Sequence, residues 1–193
     1  MMPMTANAAR LIIGGGVIVY PTETVYGLGA NALDEQAVLR VFQIKKRPLN
    51  MPIFLAVSSF EMLDKVADIS IEDRALLDRL LPGPVSVLVR KKGVVPDVLT
   101  AGSPLVGIRF PDHEMAQKII DRTGPITSTS ANRTGSPSPT SAAEVAREVA
   151  ERVDLVVDGG KCKYAKASTL LDLGKREVIR PGAGLESVLE AIS

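Results

Sequence analysis

Tyr20-Pro21-Thr22-Glu23-Thr24-Val25-Tyr26-Gly27-Leu28-Gly29 sets the terms for the rest of the chain. Val17 to Tyr20 is an apolar run of strand type, and Pro21 stops it. Thr22 and Thr24 then offer hydroxyls, while Gly27 and Gly29 permit backbone geometries that other residues resist. Downstream, Asp34 stands as a helix cap with Ala37, Val38, Val41 and Phe42 on one face behind it. That helix delivers Lys45, Lys46 and Arg47 just before Pro48. Short hydroxyls beside clustered cations suit an anionic, phosphate-bearing ligand.

Outward from this stretch, strands and helices alternate irregularly. A helix carrying Ala8, Ala9, Leu11 and Ile12, with Thr5 as its N-cap, precedes the first strand, and Gly14-Gly15-Gly16 ends it. These glycines come before a strand rather than after one, so they are not a dinucleotide fingerprint. Further strands are expected at Pro52 to Val57, Val85 to Val89, Leu105 to Phe110, Pro125 to Thr129, Asp154 to Val157, Ser168 to Leu173 and Glu177 to Ile179. Helices are expected at Glu61 to Ala67, Ile71 to Leu81, His113 to Arg122, Ser141 to Val153 and Leu185 to Ile192. Ala131 to Pro139 reads as a loop. The pattern argues for a single α/β domain over residues 5–192, with a twisted, mixed (parallel and antiparallel) sheet flanked by helices.

The 193 residues, 46% of them hydrophobic, suffice for one sizeable core. A net charge of +1 provides no global field for nucleic acid or membrane, so any basic patch has to be local. Cys162 is the only cysteine, which excludes an intrachain disulfide and makes a cytoplasmic setting the expectation. With no His or Asp pattern around it, Cys162 reads as a buried or incidental thiol. The single histidine, His113, excludes a multi-histidine metal site. No stretch approaches the roughly 20 apolar residues of a membrane span, and Met1 to Ala9 lacks a signal-peptide pattern.

Four segments share a polar, small-residue character next to an expected strand: Pro21 to Gly29, Lys45 to Pro52, Ser128 to Ser138, and Ser168 with Arg180. Ligands of open α/β sheets gather where such loops converge at strand ends. Singly, each has an ordinary explanation. Lys45-Lys46-Arg47 can be a solvated helix end, Thr22 and Thr24 a turn, and Ser128, Ser130 and Asn132 partners of their own backbone. Arg109 is less ordinary, because a charge amid Leu105, Val106, Ile108 and Phe110 points to a sheet edge or to a partner in a site.

Taken together, the run from Pro21 to Gly29, Lys45-x-Arg47-Pro48, Pro82-Gly83-Pro84, Ser130-Ala131-Asn132 with Gly135-x-Pro137-Ser138, and Ser168-Thr169-Leu170-Leu171-Asp172 with Ile179-Arg180-Pro181-Gly182 resemble the YrdC-type threonylcarbamoyl-AMP synthase family in content and order. The resemblance implies a nucleotidyltransferase that combines L-threonine, bicarbonate or carbon dioxide and ATP and releases pyrophosphate. It implies a product, threonylcarbamoyl-AMP, consumed by a downstream tRNA-modifying transferase, and the short, single-domain form of the family. By position it puts Thr24 and Arg109 at the threonine, with Ser128 and Ser168 beside it. Lys45, Arg47, Ser130, Asn132, Ser138 and Arg180 fall at the nucleotide, and Lys45, Arg47, Ser130 and Asn132 match the family's catalytic signature. The chain departs from long-form members at Met51, where they carry Asn, and at Ala56, where they carry His. Asn50 and Ser58 are the neighbours that could take over those contacts.

The residue types suit such chemistry. A carbamate oxygen attacking the α-phosphorus of ATP needs positioning and charge neutralisation rather than a protein nucleophile. Arg109 can grip a carboxylate through two parallel hydrogen bonds. Lys45 and Arg47 can offset phosphate charge, while Ser130, Asn132 and Ser138 can donate neutral hydrogen bonds. Tyr26 or Leu28 either walls the site or fills the core. Asp and Glu are sparse in these loops, so Mg²⁺ is expected to ride on ATP rather than in a protein cage. The rival reading is an RNA-binding module without catalysis, in which Arg90, Lys91 and Lys92 join Lys45 to Arg47 along an RNA backbone; direct tRNA contact would follow from it.

Overall fold

Nine strands among the described residues, 3–193 of the computed structural model, join into one mixed sheet. They are β1 (Ile18–Tyr20), β2 (Gly27–Gly29), β3 (Phe54–Ala56), β4 (Val85–Arg90), β5 (Leu105–Arg109), β6 (Ile126–Ser130), β7 (Leu155–Val156), β8 (Thr169–Asp172) and β9 (Glu177–Arg180). Across the sheet they run β7-β1-β2-β6-β3-β5-β4-β8-β9. The β1–β7, β3–β5 and β4–β8 pairs are parallel and the others antiparallel. The expected α/β architecture is therefore present, with its mixed sheet.

The helices are α1 (Met4–Ile13), α2 (Glu35–Lys45), α3 (Phe60–Val66), α4 (Ile71–Leu80), α5 (Asp97–Thr100), α6 (Glu114–Thr123), α7 (Arg147–Ala150) and α8 (Leu185–Ile192). Alternate strand residues serve two cores. Val19, Leu28, Leu55, Val87, Ile108 and Leu171 pack into the larger one with Val38, Val41 and Phe42 of α2, Leu63 of α3 and Leu77 of α4. Ile18, Tyr20, Ala56 and Ile126 pack into the smaller one with Ala8 and Ile12 of α1 and Ala116, Ile119 and Ile120 of α6. Because both faces are covered there, β1, β3, β4 and β5 read as nearly continuous apolar runs. Asp34 caps α2 as expected, its carboxylate accepting from the amides of Gln36 and Ala37.

Four local expectations need correction. Helix α1 starts one residue before Thr5. Pro3 is its N-cap, and the Pro3 carbonyl accepts from Ala6 and Asn7, so Thr5 lies inside the first turn. The expected helix from Ser141 to Val153 breaks into a 3₁₀ turn, Ala142–Glu144, and the four-residue α7. Val145 and Ala146 are extended between them, and Glu144 folds back to accept from the amide (2.7 Å) and hydroxyl (2.9 Å) of Thr140. Helix α5 falls where only a connection was expected.

The last correction concerns Gly27 and Gly29, which form β2 and do not need left-handed backbone. A β-carbon at either would stand 3.0 or 2.9 Å from the ring of Tyr20. The glycines leave room for that ring.

Candidate active site

The sheet places its polar residues on one side of a cavity of about 220 Å³, lined by Thr24, Tyr26, Arg47, Phe54, Ser86, Arg109, Ser128, Ser130, Ser138, Ser168 and Arg180, among others. Strand β6 supplies Ser128 and Ser130, with Ser130 opposite Gly27 of β2 and Ser128 opposite Phe54 of β3. Arg109 ends β5 and pairs across it with Ser86 of β4. Ser168 stands just before β8, and Arg180 ends β9. Eight of the ten residues expected at the site therefore face one cavity: Thr24, Arg47, Arg109, Ser128, Ser130, Ser138, Ser168 and Arg180. Tyr26 lines it too, whereas Leu28 is plain core.

Lys45 and Asn132 are placed differently: neither lines the cavity, and both are hydrogen-bonded around the end of β6. Lys45 is buried, and its Nζ donates to the carbonyls of Ser130 (2.5 Å) and Asn132 (2.9 Å) and to Asn132 Oδ1 (3.0 Å). That occupies all three ammonium protons. Asn132 Oδ1 also accepts from the Ser130 hydroxyl at 2.6 Å, and its Nδ2 donates to the Ser136 carbonyl. The pair is a buried staple that fixes the end of β6 from behind. Burial, aided by the charge of Arg47, pushes the Lys45 ammonium down to about 7. The three acceptor oxygens oppose that shift.

The cavity wall is positively biased. Arg47 donates to the carbonyls of Met51 (3.0 Å) and Pro52 (2.9 Å), and Arg180 donates to the Ser168 carbonyl (3.0 Å). Among the described residues neither has a carboxylate within ion-pair distance; Arg109 pairs with Glu23 at 2.5 Å. Burial pulls the guanidinium pKa of both Arg47 and Arg180 below the usual arginine range, and for Arg180 the charge of Arg109 adds to it. Three guanidinium groups against one carboxylate leave net positive charge to be met by an anion.

The hydroxyls are pre-set. Thr22 Oγ1 accepts from the amides of Thr24 (3.1 Å) and Val25 (3.2 Å) and donates to the Val25 carbonyl at 2.7 Å. Its single proton is thus engaged, so Thr24 is the donor in their 2.9 Å contact and keeps lone pairs for a ligand's N–H or O–H. Ser86 and Ser168 share a 2.6 Å contact in the same wall.

Sequence reading gave no role to Glu23, Ser86 or Phe54. Ser86 carried the same signal as Arg109, a lone polar residue in an apolar strand. Phe54 looked like any strand residue, but a β-carbon at Gly107 would collide with its ring, so the glycine shapes that wall.

Met51 is exposed and contributes only its carbonyl, to Arg47, while Ala56 is fully buried in the smaller core. Neither Asn50 nor Ser58 lines the cavity in their stead. Arg90 and Lys92 line a separate groove with Asp64, Asp68 and Asp73, and Lys91 pairs with Asp97 at 2.8 Å. They do not extend a basic face from Lys45 and Arg47. Among the described residues no group of three or more His, Cys, Asp or Glu is placed to hold a metal ion, and no helix is long and apolar enough to cross a membrane.

Comparison with known proteins follows the same outline. Residues 10–182 match the family model Sua5_yciO_yrdC, described as "Telomere recombination". The threonylcarbamoyl-AMP synthase of Pyrococcus abyssi is 44% identical over 179 residues, which cover 91% of this chain and 53% of that one. The chain thus spans little more than half the length of that relative. The threonylcarbamoyl-AMP synthase of Stutzerimonas stutzeri is 38% identical over 178 residues, 91% of this chain and 95% of its own. The crystal structure of P. abyssi Sua5 complexed with L-threonine superposes with a TM-score of 0.92 at 42% identity, over 98% of this chain and 57% of that chain. The match takes in every strand that lines the cavity, from the glycines of β2 to the arginine that ends β9, and the chain belongs to the Sua5/YciO/YrdC family.

Proposed function

We propose that the chain is an L-threonylcarbamoyladenylate synthase, a nucleotidyltransferase that makes threonylcarbamoyl-AMP and pyrophosphate from L-threonine, bicarbonate or carbon dioxide, and ATP. One observation carries the reading: Arg47, Arg109 and Arg180 line a single hydroxyl-rich cavity with one carboxylate between them. The names of the relatives and the threonine-bound Sua5 structure support it.

In this reading the amine of threonine, having lost a proton, takes up carbon dioxide to give a carbamate. A carbamate oxygen then attacks the α-phosphorus, the bond to the bridging oxygen breaks, and pyrophosphate leaves with the electron pair. Arg109 holds the threonine carboxylate, with Thr24, Ser128 and Ser168 around the amino acid. Two of its five N–H groups go to Val85 and Glu23, which leaves three for a ligand. Arg47 and Arg180, with Ser130 and Ser138, hold the phosphates and the charge that builds on pyrophosphate. Lys45 and Asn132 act one step back by fixing Ser130. Among the described residues no carboxylate lines the cavity, and Glu23 is paired with Arg109, so Mg²⁺ enters as part of the ATP substrate. We further propose that residues 5–192 form one domain, that the protein works in the cytoplasm, and that a tRNA-modifying transferase consumes the product.

The test is pyrophosphate release from ATP and bicarbonate with and without L-threonine. Threonine-dependent release is expected; equal release in both arms would remove the synthase reading.

A further inference from the structure

One contact in the cavity wall has no part in these roles. Ser86 lies in β4 between Val85 and Val87, which pack into the larger core. The alternation of the strand turns its side chain the other way, into the cavity wall. There its hydroxyl oxygen stands 2.6 Å from that of Ser168. Among the described residues neither hydroxyl has another hydrogen-bond partner. The two oxygens carry two protons, and only one can lie between them.

Burial decides which one. Ser86 is 0% exposed, so its proton has to be taken up inside the protein, and the Ser168 oxygen is the acceptor at hand. Were Ser168 the donor, the Ser86 proton would be left buried and unpaired, which is costly. Ser168 is 7% exposed and lines the cavity, so its own proton is free to meet a ligand. The surroundings indicate which ligand group. Arg180 Nη2 donates to the Ser168 carbonyl at 3.0 Å. Ser86 is directly opposite Arg109 across β4 and β5, and residues paired in this way carry their side chains on the same face. The Ser168 hydroxyl, in contact with Ser86, therefore stands on the Arg109 side. A hydroxyl donor beside a guanidinium suits a carboxylate oxygen.

We propose that Ser86 is a positioning residue: it donates to Ser168 Oγ and thereby turns the Ser168 proton toward the carboxylate that Arg109 grips. Ser86 acts on the ligand through Ser168, without a contact of its own. The direction of the hydroxyl pair follows from burial alone; its effect on threonine binding rests on the synthase reading.

Neutron diffraction from D₂O-exchanged crystals of the full chain locates hydroxyl deuterons directly. The Ser86 deuteron is expected on the line to Ser168 Oγ, and the Ser168 deuteron off that line, toward the cavity. The opposite assignment overturns the proposal. In titrations with L-threonine, Ser86→Ala should weaken binding about fivefold, while Ser86→Thr, which keeps the hydroxyl, should stay within about twofold of wild type. The ATP KM should stay within about twofold in both variants. A further comparison is made in Ser168→Ala: if Ser86 acts only through Ser168, adding Ser86→Ala brings no second loss. Unchanged threonine affinity in Ser86→Ala, a full second loss in the double variant, or a rise in ATP KM in place of the threonine effect overturns the positioning role. Should Ser86→Ala not fold, Ser86→Cys carries the same comparisons, since its thiol is a weak donor. Absence of threonine binding and of threonine-dependent turnover in the wild type would instead defeat the synthase reading, with the neutron result standing on its own.

Discussion

Gly107 lies so close to Phe54 that a β-carbon there would stand 2.2 Å from Cδ1 and 2.4 Å from Cε1 of the ring. Phe54 lines the cavity opposite Ser128. Gly107→Ala should therefore drive the ring out of its place, at a cost of about 1–3 kcal/mol. The expected result is a lower Tm together with a lower kcat/KM. A variant that keeps both wild-type values would show that the ring shifts freely and does not shape the wall.

Lys45→Met separates a staple from a phosphate ligand. The methionine keeps the bulk but leaves the carbonyls of Ser130 and Asn132 without their ammonium donor. Urea denaturation should show a loss of about 2–3 kcal/mol, the range for buried hydrogen bonds to a charged group. If Lys45 instead held phosphate directly, stability would hardly change and the ATP KM alone would rise.

Arg47→Ala removes a guanidinium anchored only by the carbonyls of Met51 and Pro52. Pyrophosphate release should fall tens- to hundreds-fold, corresponding to about 2–3 kcal/mol of transition-state binding. The fold should be indifferent, since no core contact is lost. Release at the wild-type rate would end the phosphate-clamp role.

Arg109→Lys keeps the charge and loses the fork. A lysine cannot reach Val85, Glu23 and a ligand carboxylate in the same planar arrangement. The threonine KM should rise by about tenfold or more while the ATP KM stays near its wild-type value. Isothermal titration with threonine alone gives a second reading, and equal affinity for both proteins would refute the carboxylate fork.

Much of this was legible in the residues. Asp34 and the apolar spacing behind it determined α2, and burial of both sheet faces made most strands conspicuous. The convergence of four polar segments followed from their position at strand ends. The less legible parts share one cause, which is that a side chain's partner can be remote in the sequence. Nothing local tells that Lys45 turns inward to Ser130 and Asn132, or that Gly27 and Gly29 answer to Tyr20 rather than to a turn. The break after Glu144 arises because its carboxylate finds Thr140, a competition with helical hydrogen bonding that alanine and valine spacing does not reveal.

Three polar contacts around the cavity bridge long spans of chain: Glu23 to Arg109 across 86 residues, Lys45 to Ser130 across 85, Ser86 to Ser168 across 82. Non-local pairing of this kind is slow to establish compared with helices, which close on themselves. During refolding from denaturant, circular dichroism should thus recover ahead of turnover, and catalytic competence would be the last property regained, arriving when the central seam of the sheet closes.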